Sequence, residues 1–272
     1  MTYDEYDKLP GLRASVLKHG ATSMAHMHAA ATGKLSGTSK ALRWGRLFHA
    51  AILEHDTWLR MVSVWNGERK VGAAWKEFCE ESMQRGGPDW IVDTDEFDEL
   101  MAMSTAVATC REAAFLIART AHEVSYPWDM PLVGQCKCRL DGVSDELGIV
   151  ELKTTSKPTP REFANQFAAL GYDIQLGWQK LAAQSAGVRV NSVHMITVES
   201  RPPYCVAVYH IPDSVVDKGA ERAVKLARDY RVCETIGQWP GPTTGIQEFQ
   251  LPAWATGDGA AVPTESMEAS EL

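Results

Sequence analysis

Two short segments ten residues apart, ending in Asp141 and carrying Glu151-Leu152-Lys153, constrain this chain more than anything else in it. Val133 to Leu140 alternates apolar and polar residues. Gly148 to Thr154 has the pair Ile149-Val150 followed by strict alternation. Each run has the period of a strand. Between them, Gly142 to Leu147 reads as a polar loop in which the chain reverses. That reversal brings Asp141 and Glu151 together at one end of a sheet. Glu151 and Lys153 are two apart, so both side chains leave the same strand face. Two carboxylates and one ammonium then converge.

Paired carboxylates repel, and each resists ionisation unless a cation sits between them. A hard divalent ion such as Mg2+ answers that need, because it prefers oxygen ligands and is commonly held by one or two carboxylates plus substrate phosphate. Such an ion neutralises charge on a phosphodiester and lowers the pKa of a bound water. Lys153, if desolvated, is expected to have a lowered pKa and to orient or deprotonate that water. The chemistry implied is metal-assisted hydrolysis of a phosphodiester. The competing reading is a solvated strand face with a surface ion pair.

Asp141 followed by Glu151-Leu152-Lys153 resembles the core motif of the PD-(D/E)XK nuclease superfamily. Gly45-Arg46-Leu47-Phe48-His49 resembles the G-x-x-x-H helix of the branch that includes RecB-type, RecE-type and lambda-exonuclease-like enzymes. Lys153-Thr154-Thr155 is similar to the RecE-type lysine and threonines, and Tyr172-Asp173-Ile174-Gln175 to that branch's Tyr-x-x-Gln element. The run from Tyr6 through Leu9-Pro10-Gly11-Leu12 to Lys18 resembles the start of the phage and prophage exodeoxyribonuclease VIII-like domain. The likeness spans about Tyr3 to Tyr230, with its motifs in order. Glu151 stands where many RecE-type sequences have Asp. Gln179, preceded by Trp178, stands where an aromatic is common, and no role is carried onto either. Cys205 and Cys233 are isolated, so the iron-sulfur cluster of one RecB-like subset is not expected.

The resemblance implies an α/β fold with a mixed central β-sheet flanked by helices, like a restriction endonuclease core. It implies a Mg2+-dependent exodeoxyribonuclease, with Mn2+ able to substitute, acting 5′→3′ on linear double-stranded DNA. The product would be a 3′ single-stranded tail for a single-strand annealing recombination protein. Asp141, Glu151 and the Leu152 backbone carbonyl would hold metal, with His49 as a further ligand or phosphate contact. Lys153 would act on water, Tyr172 and Gln175 would steady the substrate strand, and Arg43, Arg46, Thr154 and Thr155 would contact it. The family often forms ring-like homo-oligomers. Two alternatives stay open: a catalytically idle DNA-binding or assembly module, and an endonuclease on the same fold.

Composition bounds the rest. With 272 residues and 45% hydrophobic residues, the chain can build a sizeable core. It has no run of eighteen apolar residues and its amino terminus is acidic, so neither a membrane span nor a signal peptide is expected. The expected place is the cytoplasm of a bacterial or phage-infected cell. The net charge of −8 argues against broad coating of DNA and for local contact, with Lys34, Lys40, Arg43 and Arg46 as a basic cluster near His49. Cys136 and Cys138 share a strand face without a matching pair nearby, which favours reduced core thiols over zinc.

Domain organisation follows from pattern. A single domain over 1–236 divides into a helical part, 1–122, and a catalytic core, 123–236. The tail, 237–272, is expected to be extended and disordered. Ser15 to Ala31 predicts one helix or two short ones. Ser39 is the expected cap of a helix to about Trp58, with Leu42, Gly45, His49, Ile52 and Leu53 on its buried stripe. Asp93-x-x-Glu96 predicts a capping box opening a long helix to about Ala121. Glu123 begins an extended segment, in a region where related sequences often carry an acid. Helix is predicted from Pro158 or Thr159 to Ala186 with Gly171 as a break, strands over 190–199 and 204–211, and a closing helix from Asp213 to about Ile236.

Overall fold

The reversal between the two site strands is tighter than its polar sequence suggests, and this sets the shape of the sheet. In the computed structural model, which describes residues 1, 3–35, 40–67, 69–249 and 251, only Asp145 to Leu147 turns. Gly142 to Ser144 belong to the strand. The elements run α1 (Tyr3–Lys8), α2 (Ala14–Gly20), α3 (Met24–Ala31), α4 (Lys40–Leu53), α5 (His55–Met61), β1 (Ser63–Trp65), α6 (Gly72–Met83), β2 (Ile91–Asp93), α7 (Thr94–Thr109) and α8 (Arg111–Ala118). Then come β3 (Ala121–Met130), β4 (Gly134–Ser144), β5 (Gly148–Thr155), α9 (Pro160–Ala169), α10 (Tyr172–Ser185), β6 (Val193–Glu199), β7 (Val206–Ile211) and α11 (Asp213–Ile236).

A five-stranded sheet in the order β3-β4-β5-β6-β7 forms the centre. Its β5–β6 pair is parallel and the other three pairs are antiparallel. A parallel pair requires a crossover, and α9 and α10 supply it. This is the mixed sheet flanked by helices that the sequence predicts. The strand β5 is buried on both faces, which explains its nearly continuous apolar run. Ile149 joins one core with Leu17, Met27, Ile174, Trp178 and Met195. Val150 and Leu152 join the other, with Phe48, Trp58, Leu100, Met103 and Ile196. The residues before β3 are therefore not one layer: α2 and α3 contribute to the first core, α4, α5, α7 and α8 to the second. Cys136 and Cys138 are buried in the first core as free thiols.

Several boundaries differ from the sequence reading. The α4 helix stops at Leu53, and α5 starts afresh after Glu54. Leu42 is 61% exposed, so the buried face of α4 is carried instead by Leu47, Phe48, Ala50, Ala51 and Leu53. Ser39 lies outside the described residues, as does the tail from 252. The long helix after Asp93 breaks at Cys110, which is extended at φ −77 and ψ 110. The break turns α8 by 89° so that Ala113 and Leu116 reach the same core as Leu100 and Val107. No single helix among the described residues is long and apolar enough to cross a membrane. The capping box at Asp93 and Glu96 is present. Gly171 breaks α9 from α10 in the left-handed region at φ 62, which a glycine adopts without steric cost.

The α10 and α11 helices pack so closely that they need glycine at the crossing. A Cβ on Gly177 would lie 2.1 Å from the Ala220 backbone nitrogen. One on Gly219 would lie 1.9 Å from the Asp173 carbonyl oxygen. Gly177→Ala is expected to destabilise the protein by about 1–3 kcal/mol, because backbone rather than a flexible side chain must move. Urea unfolding measures this, and an unchanged midpoint would refute the close crossing. The Asp93 cap gives a second test. The Glu96 N–H bond to Asp93 lowers that carboxyl from its ordinary value, so its contribution is complete above the unfolded value and fades as pH falls through the lower folded one. Asp93→Ala is expected to cost about 0.5–2 kcal/mol near neutral pH. The difference from the wild type should shrink in acid.

Candidate active site

The site lies where β4 and β5 part. Their ladder pairs Ser144 with Gly148, Val143 with Ile149 and Gly142 with Val150, and then stops. One more step would place Asp141 opposite Glu151. Instead the Asp141 Oδ2 accepts the Leu152 N–H at 2.9 Å, so a side chain takes over the role of a ladder carbonyl. The two strands splay, and the opening forms part of a cavity of about 910 Å³. Its walls include Lys18 from α2, His49 from α4, Glu123 from β3, Asp141 from β4 and Gln175 and Gln179 from α10.

One carboxylate group forms on the β3 side. The His49 Nδ1 lies 3.5 Å from Asp141 Oδ1 and 3.8 Å from Glu123 Oε1. One ligand atom from each of the three residues lies within 4.8 Å of the others. Glu123 reaches this position through an unusual backbone. It has φ 53, rare for a residue with a Cβ, and sits at the step where the β3–β4 ladder skips a pair. Arg139, two residues before Asp141, donates its Nε to Glu123 Oε2 at 2.5 Å and lies 3.7 Å from Glu54. His49 is half-buried at the cavity wall rather than central to the packed face of α4.

The other group surrounds Glu151, which is fully buried. Lys153 Nζ and the Gln175 side-chain amide both donate to its Oε1. Gln179 donates to its Oε2 at 2.6 Å. The Gln179 carbonyl oxygen is buried without a hydrogen-bond partner among the described residues. Tyr172 packs against Phe163 and Phe167, with the Lys153 and Lys18 ammonium groups 5.6 Å and 5.4 Å from its ring centre.

Charge compensation governs every protonation state here. Burial opposes ionisation of Asp141, but His49 and Lys153 outweigh it and bring the carboxyl down to about 2. Burial and the neighbouring Asp141 push Glu151 up, with Lys153 and Gln179 acting against them. Burial alone would also strip a proton from His49, yet Asp141 reverses this and raises it to about 10. The expected lowering of Lys153 does not occur. Burial favours it, but Glu151 and Asp141 together raise this ammonium above its ordinary value. Lys153 is thus a charged donor here, not a ready base. At this site the lysine with a lowered pKa is Lys18, which burial and nearby Lys153 bring down to about 8.

The residues singled out from sequence separate into two groups. Asp141, Glu151, Lys153, Tyr172, Gln175 and His49 share one neighbourhood. Thr155 is engaged elsewhere, and Arg43 lines the cavity with its guanidinium already paired. The Arg43 guanidinium is bound to Glu96 and to the Asp89 and Ile91 carbonyls, tying α4 to α7 and β2. The Thr155 hydroxyl donates to Gln166 at 2.6 Å and accepts the Lys157 N–H at 2.9 Å, so it secures the turn into α9. Arg46 lines the cavity but is paired with Asp89 at 3.2 Å. Thr154 is half-buried and follows Lys153 on the opposite strand face. Glu123 and Gln179 are noted from sequence without an assigned role, the first where related sequences often carry an acid and the second on one helix face with Tyr172 and Gln175. Arg139 and Lys18 were missed, although Arg139 shares a strand face with Asp141.

The chemistry of this donor set suits a divalent cation. Two carboxylates and an imidazole lie within one coordination sphere's reach and fit a divalent metal ion. Comparison with known proteins agrees with that architecture. No curated protein matches the chain. Among solved structures, a candidate exonuclease from Eubacterium rectale aligns with a TM-score of 0.64 at 11% identity, over 96% of this chain and 99% of that one. At this identity the likeness is one of fold. The model of a PDDEXK-like domain of unknown function, DUF3799, matches residues 14–251. Because that match runs through both cores and every strand, the chain belongs to the DUF3799 family of PDDEXK-like domains.

Proposed function

We propose that this protein is a divalent-metal-dependent nuclease that hydrolyses phosphodiester bonds of linear double-stranded DNA. The single observation that carries the reading is the cluster of His49, Glu123 and Asp141 beside the Glu151–Lys153 pair. On this reading DNA is digested from an end, 5′→3′, leaving a 3′ single strand for an annealing recombination partner. The motif resemblance supports the polarity and partner, and the structural neighbour described as an exonuclease supports attack at an end.

His49, Glu123 and Asp141 would hold the ion, with Glu151 and the Leu152 carbonyl completing the proposed set. When bound, the ion supplies charge neutralisation at a phosphate oxygen and acidifies water. The protein's own groups do the rest. The Lys153 ammonium orients the attacking water or a phosphate oxygen by donating a hydrogen bond. Gln175 and Gln179 fix both Glu151 oxygens so that Glu151 cannot swing away. Arg139 holds Glu123 from behind and carries part of the charge of the acid cluster. Arg46 and Arg60 on the cavity wall contact the substrate backbone.

The direct test is digestion of end-labelled linear duplex with Mg2+ or Mn2+, with a closed circle as control. Linear DNA should shorten from its 5′ ends while the circle survives. Lys153→Ala should cut on the order of 10²-fold slower or less detectably, the scale of losing a preorganised charge donor. A folded wild type that binds DNA but cuts nothing would establish an idle module, and cleavage of the circle an endonuclease. A second prediction concerns Glu123, to which the sequence reading assigns no role. Glu123→Gln should weaken Mn2+ binding, measured by calorimetry on the protein alone, by roughly tenfold or more. Equal affinity in that variant would remove Glu123 from the ligand set.

A further inference from the structure

Lys18 lies far from the site in sequence, on the short α2 helix, yet it meets two residues of the first turn of α10 and the residue before it. Its Nζ donates to Gln175 Oε1 at 3.3 Å. Its ammonium sits 5.4 Å from the centre of the Tyr172 ring. Its stem lies against Gly171, where an added Cβ would be 3.4 Å from the Lys18 Cγ. This is the turn that begins the helix carrying both amides bound to Glu151.

The Gln175 amide is held between opposites. An ammonium can only donate and a carboxylate can only accept. Lys18 therefore claims the amide oxygen while Glu151 claims the amide nitrogen, and only one orientation satisfies both. The ammonium is half-buried, which carries a desolvation cost that an apolar side chain of equal length would not. Packing of α2 against α10 alone gives no reason for a charge at this position.

We propose that Lys18 is a positioning residue of this site, acting through the Gln175 amide to hold Glu151 and Lys153 in place. The inference rests on the nuclease reading for its kinetic consequence, and on geometry alone for its structural one. It makes the segment before α3 part of the active site rather than an accessory arm.

Lys18→Met keeps the stem and removes the charge, and Lys18→Arg restores a donor. With linear duplex DNA, Lys18→Met should lower kcat by about 10–100-fold with KM little changed, the usual effect of losing an outer partner of a reacting group. Lys18→Arg should recover most of it. In a Gln175→Ala background the Lys18→Met change should have little further effect, because both remove one linkage. A second readout needs no activity. The Gln175 side-chain amide protons, identified by their loss in Gln175→Ala, should exchange slowly with solvent in the wild type and in Lys18→Arg, and rapidly in Lys18→Met. Unchanged amide exchange in a folded Lys18→Met protein would overturn the proposal whether or not the wild type cuts DNA. So would a loss confined to KM and persisting in full without Gln175, which would make Lys18 a direct DNA contact. A wild type that cuts nothing, with the exchange result as expected, would refute the nuclease reading and leave the linkage standing.

Discussion

The structure depends on keeping four acids together at one cavity, three of them largely buried and Glu54 partly exposed. Glu54, Glu123, Asp141 and Glu151 converge where β4 leaves β5, and each would resist ionisation if left alone. Arg139 spans Glu54 and Glu123, His49 lies between Glu123 and Asp141, and Lys153 contacts Glu151. Asp141 and Glu151 also draw on further donors. The Leu152 N–H serves Asp141, and two α10 amides serve Glu151. The arrangement is an ion network with a cavity at its open side, and the His49 imidazole, whose pKa Asp141 raises, stands between Glu123 and Asp141.

The rest of the fold exists to hold that splay open. If β4 and β5 continued their ladder, the Leu152 N–H would meet a carbonyl and Asp141 would have no backbone donor. The apolar residues of β5 prevent slippage, since Ile149 is locked into one core and Val150 and Leu152 into the other. Above the sheet, α10 is brought close enough to reach Glu151 because Gly177 and Gly219 let α11 press on it. At the far side, Lys137 donates to the Tyr6, Asp7 and Leu9 carbonyls, and Leu12 bridges to Cys136. That seats the amino-terminal segment along the part of β4 that β5 has left.

Much of this was legible in the sequence, for physical reasons that differ by element. The capping box at Asp93 and Glu96, the Gly171 break and the α11 helix were readable because each rests on local chemistry over a few residues. The break at Cys110 was not readable, because nothing in Thr109-Cys110-Arg111 forbids helix. Only the demand that Ala113 and Leu116 reach the core bends the chain there. Arg43 lines the cavity near His49 as its sequence position suggests, but its bonds to Glu96 and to two carbonyls on other elements were not readable from sequence. Lys153 illustrates the limit most clearly. Desolvation predicts a weak acid turned neutral, whereas two specific carboxylates decide the opposite.

The sequence by itself determined the strand pair, the Asp141, Glu151 and Lys153 set and the helical face with Gln175, because periodicity and spacing fix which side chains share a face. Tertiary structure alone decided the partners from elsewhere. Glu123 needed a left-handed residue opposite Asp141, Arg139 needed both Glu123 and Glu54 in range, and Lys18 needed α2 laid against α10. Those contacts join residues separated by up to 157 positions, and no local pattern encodes a distance that only packing of both cores can close.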